Sequence, residues 1–434
     1  MNEGKNRIAA QTLFLNVREI IKKGFGRMTG CRKKILIMCG FLLAVLGLII
    51  WQTVGLGCSV GIVERARFLF GLIDSIILMP AGACAILYFF GRPKGAYRIN
   101  RMMRRISVKN RMGETPMLIG AEKDTESKAM IYEFIGYGIP LGYYEDNSAE
   151  IEAALNANIV RIMQGKSLSK ALIYAVSYDE GLPQFVTWDR SRIHRRDFEI
   201  VLGESLLGDV VVDLNKMPHL LIGGSTGSGK SVLLKSLIYQ CYVKGALVYI
   251  ADFKGGIDFN GRWRAITNVE TNIDELIERL EKIVSELTER KLEFFENNAV
   301  NITEFREKTG QDCRRIVFAC DEVAELLDKT GLEKAAKEKV VKVENLLSTI
   351  ARQGRAFGIN LILATQRPDA NILSGQIRNN IDYRACGRAD DVLSKIVLDN
   401  TDASEKIPKY EQGLFLDNMG TLFRAFYFRE SDIK

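Results

Sequence analysis

His219-Leu-Leu-Ile-Gly-Gly-Ser-Thr-Gly-Ser-Gly-Lys-Ser231 runs an apolar stretch into glycines and serines, and Val232-Leu-Leu-Lys-Ser-Leu-Ile-Tyr239 continues it as a helical pattern. Strand, glycine-rich turn and helix in that order are the setting of the motif G-x-x-x-x-G-K-[ST], which spans Gly224 to Ser231 here. The glycines let successive backbone N–H groups turn inward around a phosphate at the positive end of a helix. Gly224, Ser225, Thr226, Gly227, Ser228 and Gly229 form the expected cradle. Lys230 reaches the β- and γ-phosphates, and the Ser231 hydroxyl joins the shell of a Mg²⁺ ion. A Gly/Ser-rich surface turn would need neither flank. The expectation is therefore ATP bound on an α/β domain.

Downstream, the pattern alternates strands and helices from Phe198 onward, which predicts a parallel sheet flanked by helices. Ala246–Ile250 reads as a buried strand running into Asp252-Phe-Lys-Gly-Gly256. Asn272 starts a long helix whose apolar residues, from Ile273 to Leu287, mark one packed face. Ile316-Val-Phe-Ala-Cys-Asp-Glu322 is a buried strand ending in two acids. Asp321 is placed to hold Mg²⁺ through water, and Glu322 to accept a proton from an attacking water. The strand Leu361–Ala364 ends in Thr365-Gln366, where an amide can sense a γ-phosphate or orient water. Arg355, ahead of that strand, suits a finger reaching a neighbouring subunit's nucleotide, with Arg352, Arg367 and Arg384 as rivals.

At the front, Ile35 to about Gly57 is uncharged and rich in Ile, Leu and Val. A second apolar stretch runs from about Phe68 to Phe90, interrupted by Asp74. Each approaches the roughly 20 residues a spanning helix needs. Residues 1–34 hold nine Lys/Arg against two acids, and 92–111 hold eight with no acid. The positive-inside rule puts both ends in the cytoplasm, giving a two-helix transmembrane hairpin. A cleaved signal peptide fits poorly because a second span follows. Cys58 lacks the sequence of a lipidation site, and Asp74 reads as an interfacial carboxylate or helix partner. The 92–111 cluster offers contacts to anionic lipid or DNA, with topology as its plain role.

A small α/β domain is expected between membrane and motor, over residues 113–200. Ile131–Tyr144 looks strand-like, Asn147-Ser148 starts a helix running to about Met163, and Ala171–Val176 and Phe185–Val186 resume strands. The division is a basic tail (1–34), two spans (35–90), a basic linker (91–112), the small domain (113–200) and the motor (201–434). The chain has 434 residues, room for several domains. A net charge of +7 is too modest to argue for nucleic acid alone. Eight cysteines without a C-x-x-C pair read as reduced core residues. His194 and His219 lie in separate segments, which disfavours a histidine metal site or a Ser-His-Asp triad.

The succession Met217-Pro-His-Leu-Leu221, Gly223–Ser231, Cys320-Asp-Glu-Val-Ala-Glu-Leu326 and Gly354–Pro368 resembles the FtsK/SpoIIIE family of DNA-pumping ATPases, over roughly residues 200–430. The resemblance implies a RecA-like P-loop motor assembling as a homo-hexamer around double-stranded DNA. It assigns Lys230 and Ser231 to phosphate and Mg²⁺, Asp321 and Glu322 to the Walker B acids and Gln366 to the sensor. Arg355 matches the finger position of related coupling proteins. Segregating members typically carry four spans and a terminal winged helix, and Asp252-Phe-Lys differs from their Asp-Pro-Lys. Two-span forms resemble coupling proteins of Gram-positive conjugative elements, with relaxase and channel proteins as partners at the inner membrane. A segregation pump and a secretion ATPase of the same superfamily are the alternatives. Leu373-Ser-Gly-Gln376 superficially matches an ABC-transporter signature, but it follows the acidic strand instead of preceding it.

Overall fold

The strand His219–Gly223, which carries the glycine-rich loop, is sixth of ten in the larger of two sheets. The computed structural model describes residues 2–54, 77, 79–106, 108–125, 127–179, 181–194, 196–366 and 375–433. They form two units, Met1–Gly181 and Leu182–Lys434.

The first unit contains a four-stranded antiparallel sheet: β1 (Met117–Lys123), β2 (Met130–Ile135), β3 (Ala157–Gln164) and β4 (Lys170–Ser177), in the order β1-β2-β4-β3. Two expectations are corrected here. The strand predicted to Tyr144 stops at Ile135, and Leu141–Asp146 is helical. The helix predicted to Met163 is Ser148–Leu155, because Asn156 adopts a left-handed conformation (φ 54°) that ends it. The β-branched run Ile159-Val-Arg-Ile162 then favours β3. Phe134, Ile151, Leu155 and Ile173 pack on one side of this sheet, and Ile20 of the helix Asn2–Thr29 packs with Ile119 and Ile135.

Within the helix Arg32–Val54, the stretch Arg32–Ile50 is long and apolar enough to cross a bilayer, and it is almost wholly exposed. Of the second expected span, Met79–Gly91 is a shorter apolar helix. Cys58, Asp74 and the rest of 55–76 lie outside the described residues, as do Arg195 and 367–374, which include Arg367 and Leu373.

The second unit holds β5 (Glu199–Ser205), β6 (Gly208–Asp213), β7 (His219–Gly223), β8 (Leu247–Ala251), β9 (Asn268–Glu270), β10 (Ile316–Cys320), β11 (Ile359–Thr365), β12 (Tyr383–Cys386), β13 (Leu414–Asp417) and β14 (Leu422–Ala425). Their order is β6-β5-β14-β13-β12-β7-β11-β10-β8-β9. From β12 to β9 neighbours are parallel. Beyond the expected parallel sheet, β13, β14, β5 and β6 extend it antiparallel. Tight hairpins at Leu206-Leu207 and Asn418–Gly420 leave no room for a crossover helix, so the strands they join must run oppositely.

Every residue of β7, β10 and β11 is buried, as helices on both faces require. Alternation divides them cleanly: Val317, Ala319, Ile362 and Ala364 join one core, while Ile316, Phe318, Leu361 and Leu363 join the other. The helix Lys230–Val243 covers the first face; Ile273–Glu296 and Lys334–Gln353 cover the second. Residues 182–200, grouped from sequence with the small domain, pack into this unit through Val186, Trp188 and Phe198. Phe185–Val186 forms no strand; Thr187 makes a lone bridge to Tyr427.

Candidate nucleotide site

The parallel registers set Gly223 beside Thr365, Leu363 beside Cys320 and Cys320 beside Ala251. The loops leaving β7, β8, β10 and β11 therefore emerge along one carboxyl edge, where open α/β sheets bind ligands. All the predicted phosphate, acid and sensor positions meet there.

Between Gly223 and Lys230 the chain turns through Gly227 (φ 76°) and Gly229 (φ 97°), conformations that a side chain would strain. Ser225 is fixed from outside, donating its N–H (2.8 Å) and hydroxyl (2.9 Å) to the Arg388 carbonyl. The N–H groups of Gly227, Gly229, Lys230 and Ser231 have no acceptor among the described residues. Ser228 Oγ is buried without a partner. Four orphan donors converging at a helix N-terminus fit a polyphosphate.

Asp321 is the electrostatic hub. Its Oδ1 accepts from Lys230 Nζ and Ser231 Oγ, each at 2.9 Å, and its Oδ2 accepts from Lys254 Nζ at 2.7 Å. Burial pushes the Asp321 pKa up, but Lys230 and Lys254 outweigh it and hold the carboxyl below its ordinary range. Glu322, the next residue, goes the other way: burial raises its pKa, with Lys230 and the hydrogen bonds from Thr365 and Gln366 only partly opposing. Adjacent carboxyls with opposite shifts suit different roles, one staying charged beside a cation and one exchanging a proton. A hard oxygen donor pair, Asp321 with Ser231, fits Mg²⁺, which keeps much of its water shell.

Gln366 joins the two halves of the site. Its N–H donates to Glu322 Oε2 (3.1 Å), and its Oε1 accepts from Thr226 Oγ1 (3.1 Å). Thr365 Oγ1 also donates to Glu322 Oε1, at 3.0 Å. Arg355 is not brought to this cluster. It is exposed near the amino end of β11, beside a cleft of about 840 Å³ that Arg352 and Glu304 also line. The seven residues of β11, at about 3.3 Å each, set it on the order of 20 Å from the loop. Arg384 is committed to Asp399 (2.6 Å) and to local carbonyls, which removes it as a rival.

Three features escaped the sequence reading. Lys254, in sequence only part of the variant run Asp252-Phe-Lys, binds the acid at the centre of the site. Arg388, just past β12, donates to the Thr226 carbonyl at 2.5 Å. The only signal for it is that β12 neighbours β7, which pattern alone does not reveal. Beside Gly227 and Gly229 lies a cavity of about 320 Å³ walled by Phe185 and Tyr427, whose rings stand 5.0 Å apart. Its flat apolar walls and the amides of Gln184 and Gln412 suit a nucleobase.

A model of the FtsK/SpoIIIE family matches residues 187–370. DNA translocase FtsK of Staphylococcus aureus (strain Mu50 / ATCC 700699) is 33% identical over 238 residues, covering 51% of this chain and 29% of that protein. The FtsK of Caldanaerobacter subterraneus subsp. tengcongensis is 31% identical, covering 52% and 32%. Among solved structures, the pCW3 conjugation coupling protein TcpA, a monomer form with ATPgS, is 34% identical with a TM-score of 0.57. It covers 78% of this chain and 96% of its own. The chain belongs to the FtsK/SpoIIIE family.

Its Leu182–Lys434 unit is accordingly a P-loop ATPase unit of that family. The chain matches about a third or less of the length of the FtsK proteins. Leu182–Lys434 is less than two thirds of the chain, so the TcpA likeness extends into Met1–Gly181 as well. The cytoplasmic domain of the Thermomonospora curvata type VII secretion ATPase EccC is 25% identical, covering 58% of this chain and 31% of its own, with a TM-score of 0.44.

Proposed function

We propose that this FtsK/SpoIIIE-family protein is a membrane-anchored, ATP-driven translocase of double-stranded DNA serving as the coupling protein of a conjugative element. The observation that carries the reading is the 34% identity to a conjugation coupling protein across nearly all of that structure's chain, beyond the motor unit. Two apolar helices cross the inner membrane and leave the motor in the cytoplasm, with relaxase and channel proteins as partners.

On nucleotide binding, Lys230 leaves Asp321 for the β- and γ-phosphates, and the orphan N–H groups close around them. Ser231 and Asp321 would hold Mg²⁺, which would neutralise charge on the phosphates. Bound MgATP supplies the phosphoanhydride bond whose cleavage powers movement. Glu322 takes a proton from the attacking water, its raised pKa bringing it closer to neutral operating pH. Gln366 aligns that water while tied to Thr226 across the site. Arg355 serves a neighbouring subunit's nucleotide within a hexameric ring.

Contacts to DNA are chiefly to phosphates, so binding weakens steeply with salt and discriminates little by sequence. The test is ATP hydrolysis by the purified full chain, with Mg²⁺, with and without duplex DNA. Stimulation by duplex is expected. Stimulation by a secreted polypeptide, with none by DNA, would replace this reading with protein secretion.

A further inference from the structure

In the first unit a cavity of about 330 Å³ opens where the apolar helix Met79–Gly91 ends. Its floor is apolar, formed by the buried Ile20, Ala96 and Leu118; the more open Leu13 and Val17 line it too, together with Arg92, Arg101 and Arg104. Just beside it the helices Asn2–Thr29 and Met79–Gly91 cross in near-backbone contact. A Cβ on Gly24 would lie 1.8 Å from the Leu87 carbonyl oxygen, and one on Gly91 would lie 1.9 Å from that of Ile20. The crossing makes one wall rigid. The Asn100 side chain steadies another by accepting the Leu118 N–H at 2.8 Å.

Some cations of this unit are ion-paired and others, Arg18, Arg98 and Arg105 included, have no carboxylate partner among the described residues. Over the sheet, Lys23 pairs with Glu133, Arg27 with Glu122 and Lys170 with Glu19. Arg92, Arg101 and Arg104 have no carboxylate partner among the described residues. Arg101, in the last turn of the helix Ala96–Met103, and Arg104, its C-cap with a helical backbone, lie three apart and so share a face. An apolar floor under three unpaired guanidiniums, at the cytoplasmic end of an apolar helix, complements an amphiphile with an anionic head. Basic pockets at that depth are where anionic head groups bind.

We propose that this cavity seats an anionic phospholipid of the cytoplasmic leaflet, phosphate on Arg92, Arg101 and Arg104 and first acyl carbons against Leu13 and Val17. The proposal rests on the membrane-anchored reading above. Full-length protein is purified in a zwitterionic detergent, given phosphatidylglycerol and phosphatidylcholine of matched acyl chains, and the retained lipid is counted by native mass spectrometry. Retention of phosphatidylglycerol is expected to exceed that of phosphatidylcholine by about ten- to hundred-fold, about five-fold per arginine at low salt. The triple variant Arg92→Gln/Arg101→Gln/Arg104→Gln should bring the ratio near one, and Leu13→Asp should lower it with all three arginines intact. Both should keep the wild-type melting temperature and nucleotide affinity.

Equal retention of the two lipids by wild type overturns the proposal, as does an unchanged preference in the triple variant. Displacement of the lipid by glycerophosphoglycerol at equal concentration shows that the floor contributes nothing, and also overturns it. Displacement by a short DNA duplex, with duplex affinity falling in the triple variant by the same factor, reassigns the arginines to DNA. Release of the full chain from liposomes by alkaline wash breaks the anchoring reading itself. Retention after that wash without lipid preference breaks only the seat.

Discussion

The two edges of the large parallel sheet have opposite characters. At the carboxyl edge, Lys230, Lys254, Asp321, Glu322, Gln366 and Arg388 interlock within one chain. At the amino edge the buried ionisable groups are quiet. Burial lowers the His219 pKa to about 4, and its Nδ1 accepts the Leu361 N–H. Arg315 stacks on Phe198 at 4.7 Å, wholly buried. Arg355, exposed there with Arg352, faces a cleft with no anion of its own chain paired to it among the described residues. One edge assembles its chemistry unaided, whereas the other offers a charge that serves a neighbouring subunit only on the reading proposed above.

The largest effect should come from the self-contained edge. Glu322→Gln is expected to lower ATP turnover by about 10⁴-fold while nucleotide affinity stays within a few-fold, as loss of a general base requires. Unchanged hydrolysis, read in a phosphate-release assay, would take Glu322 out of that role. At the opposite edge, Arg355→Ala should cost about 10³-fold, the scale of an arginine finger. Mixing it with an inactive Lys230→Ala chain should restore some activity, because some interfaces then pair an intact loop with an intact arginine. No recovery on mixing would make the two edges equally self-contained and erase the contrast.

Arg388→Ala should weaken nucleotide binding by about ten-fold, measured by calorimetry, through loss of its charge-assisted bond to the Thr226 carbonyl. The smallest effect concerns pH. Glu322 acts as its carboxylate, so kcat/KM falls as pH drops through its raised pKa; Asp321, held low, stays ionised over that range. Thr365→Val removes a hydrogen bond that favours charged Glu322, so the acid limb should move upward by about one pH unit. A limb that stays put would detach Thr365 from the proton transfer.

The positions legible in the sequence were those that announce themselves locally. Gly224–Ser231 needs only its own flanks, and Asp321-Glu322 and Gln366 each terminate an apolar run. Lys254, Arg388 and the Phe185–Tyr427 pocket were not legible, because each depends on which strands are neighbours. The antiparallel extension was hidden for a related reason: short strands such as β13 and β14 carry the same apolar composition in either direction. The overlong helix after Ser148 was misread because Asn156 looks like any polar helix residue until its backbone turns left-handed.

The union of β5 with β14 has a bearing on how the molecule is made. Ser205 pairs with Phe423, and Phe185 and Tyr427 pack ring against ring to line the same cavity. In a nascent polypeptide Gly224–Ser231 is made well before Arg388, which fixes Ser225, and Tyr427, which lines the cavity. Contacts between such distant stretches form slowly, so loop and cavity are completed together when β12 and β14 dock.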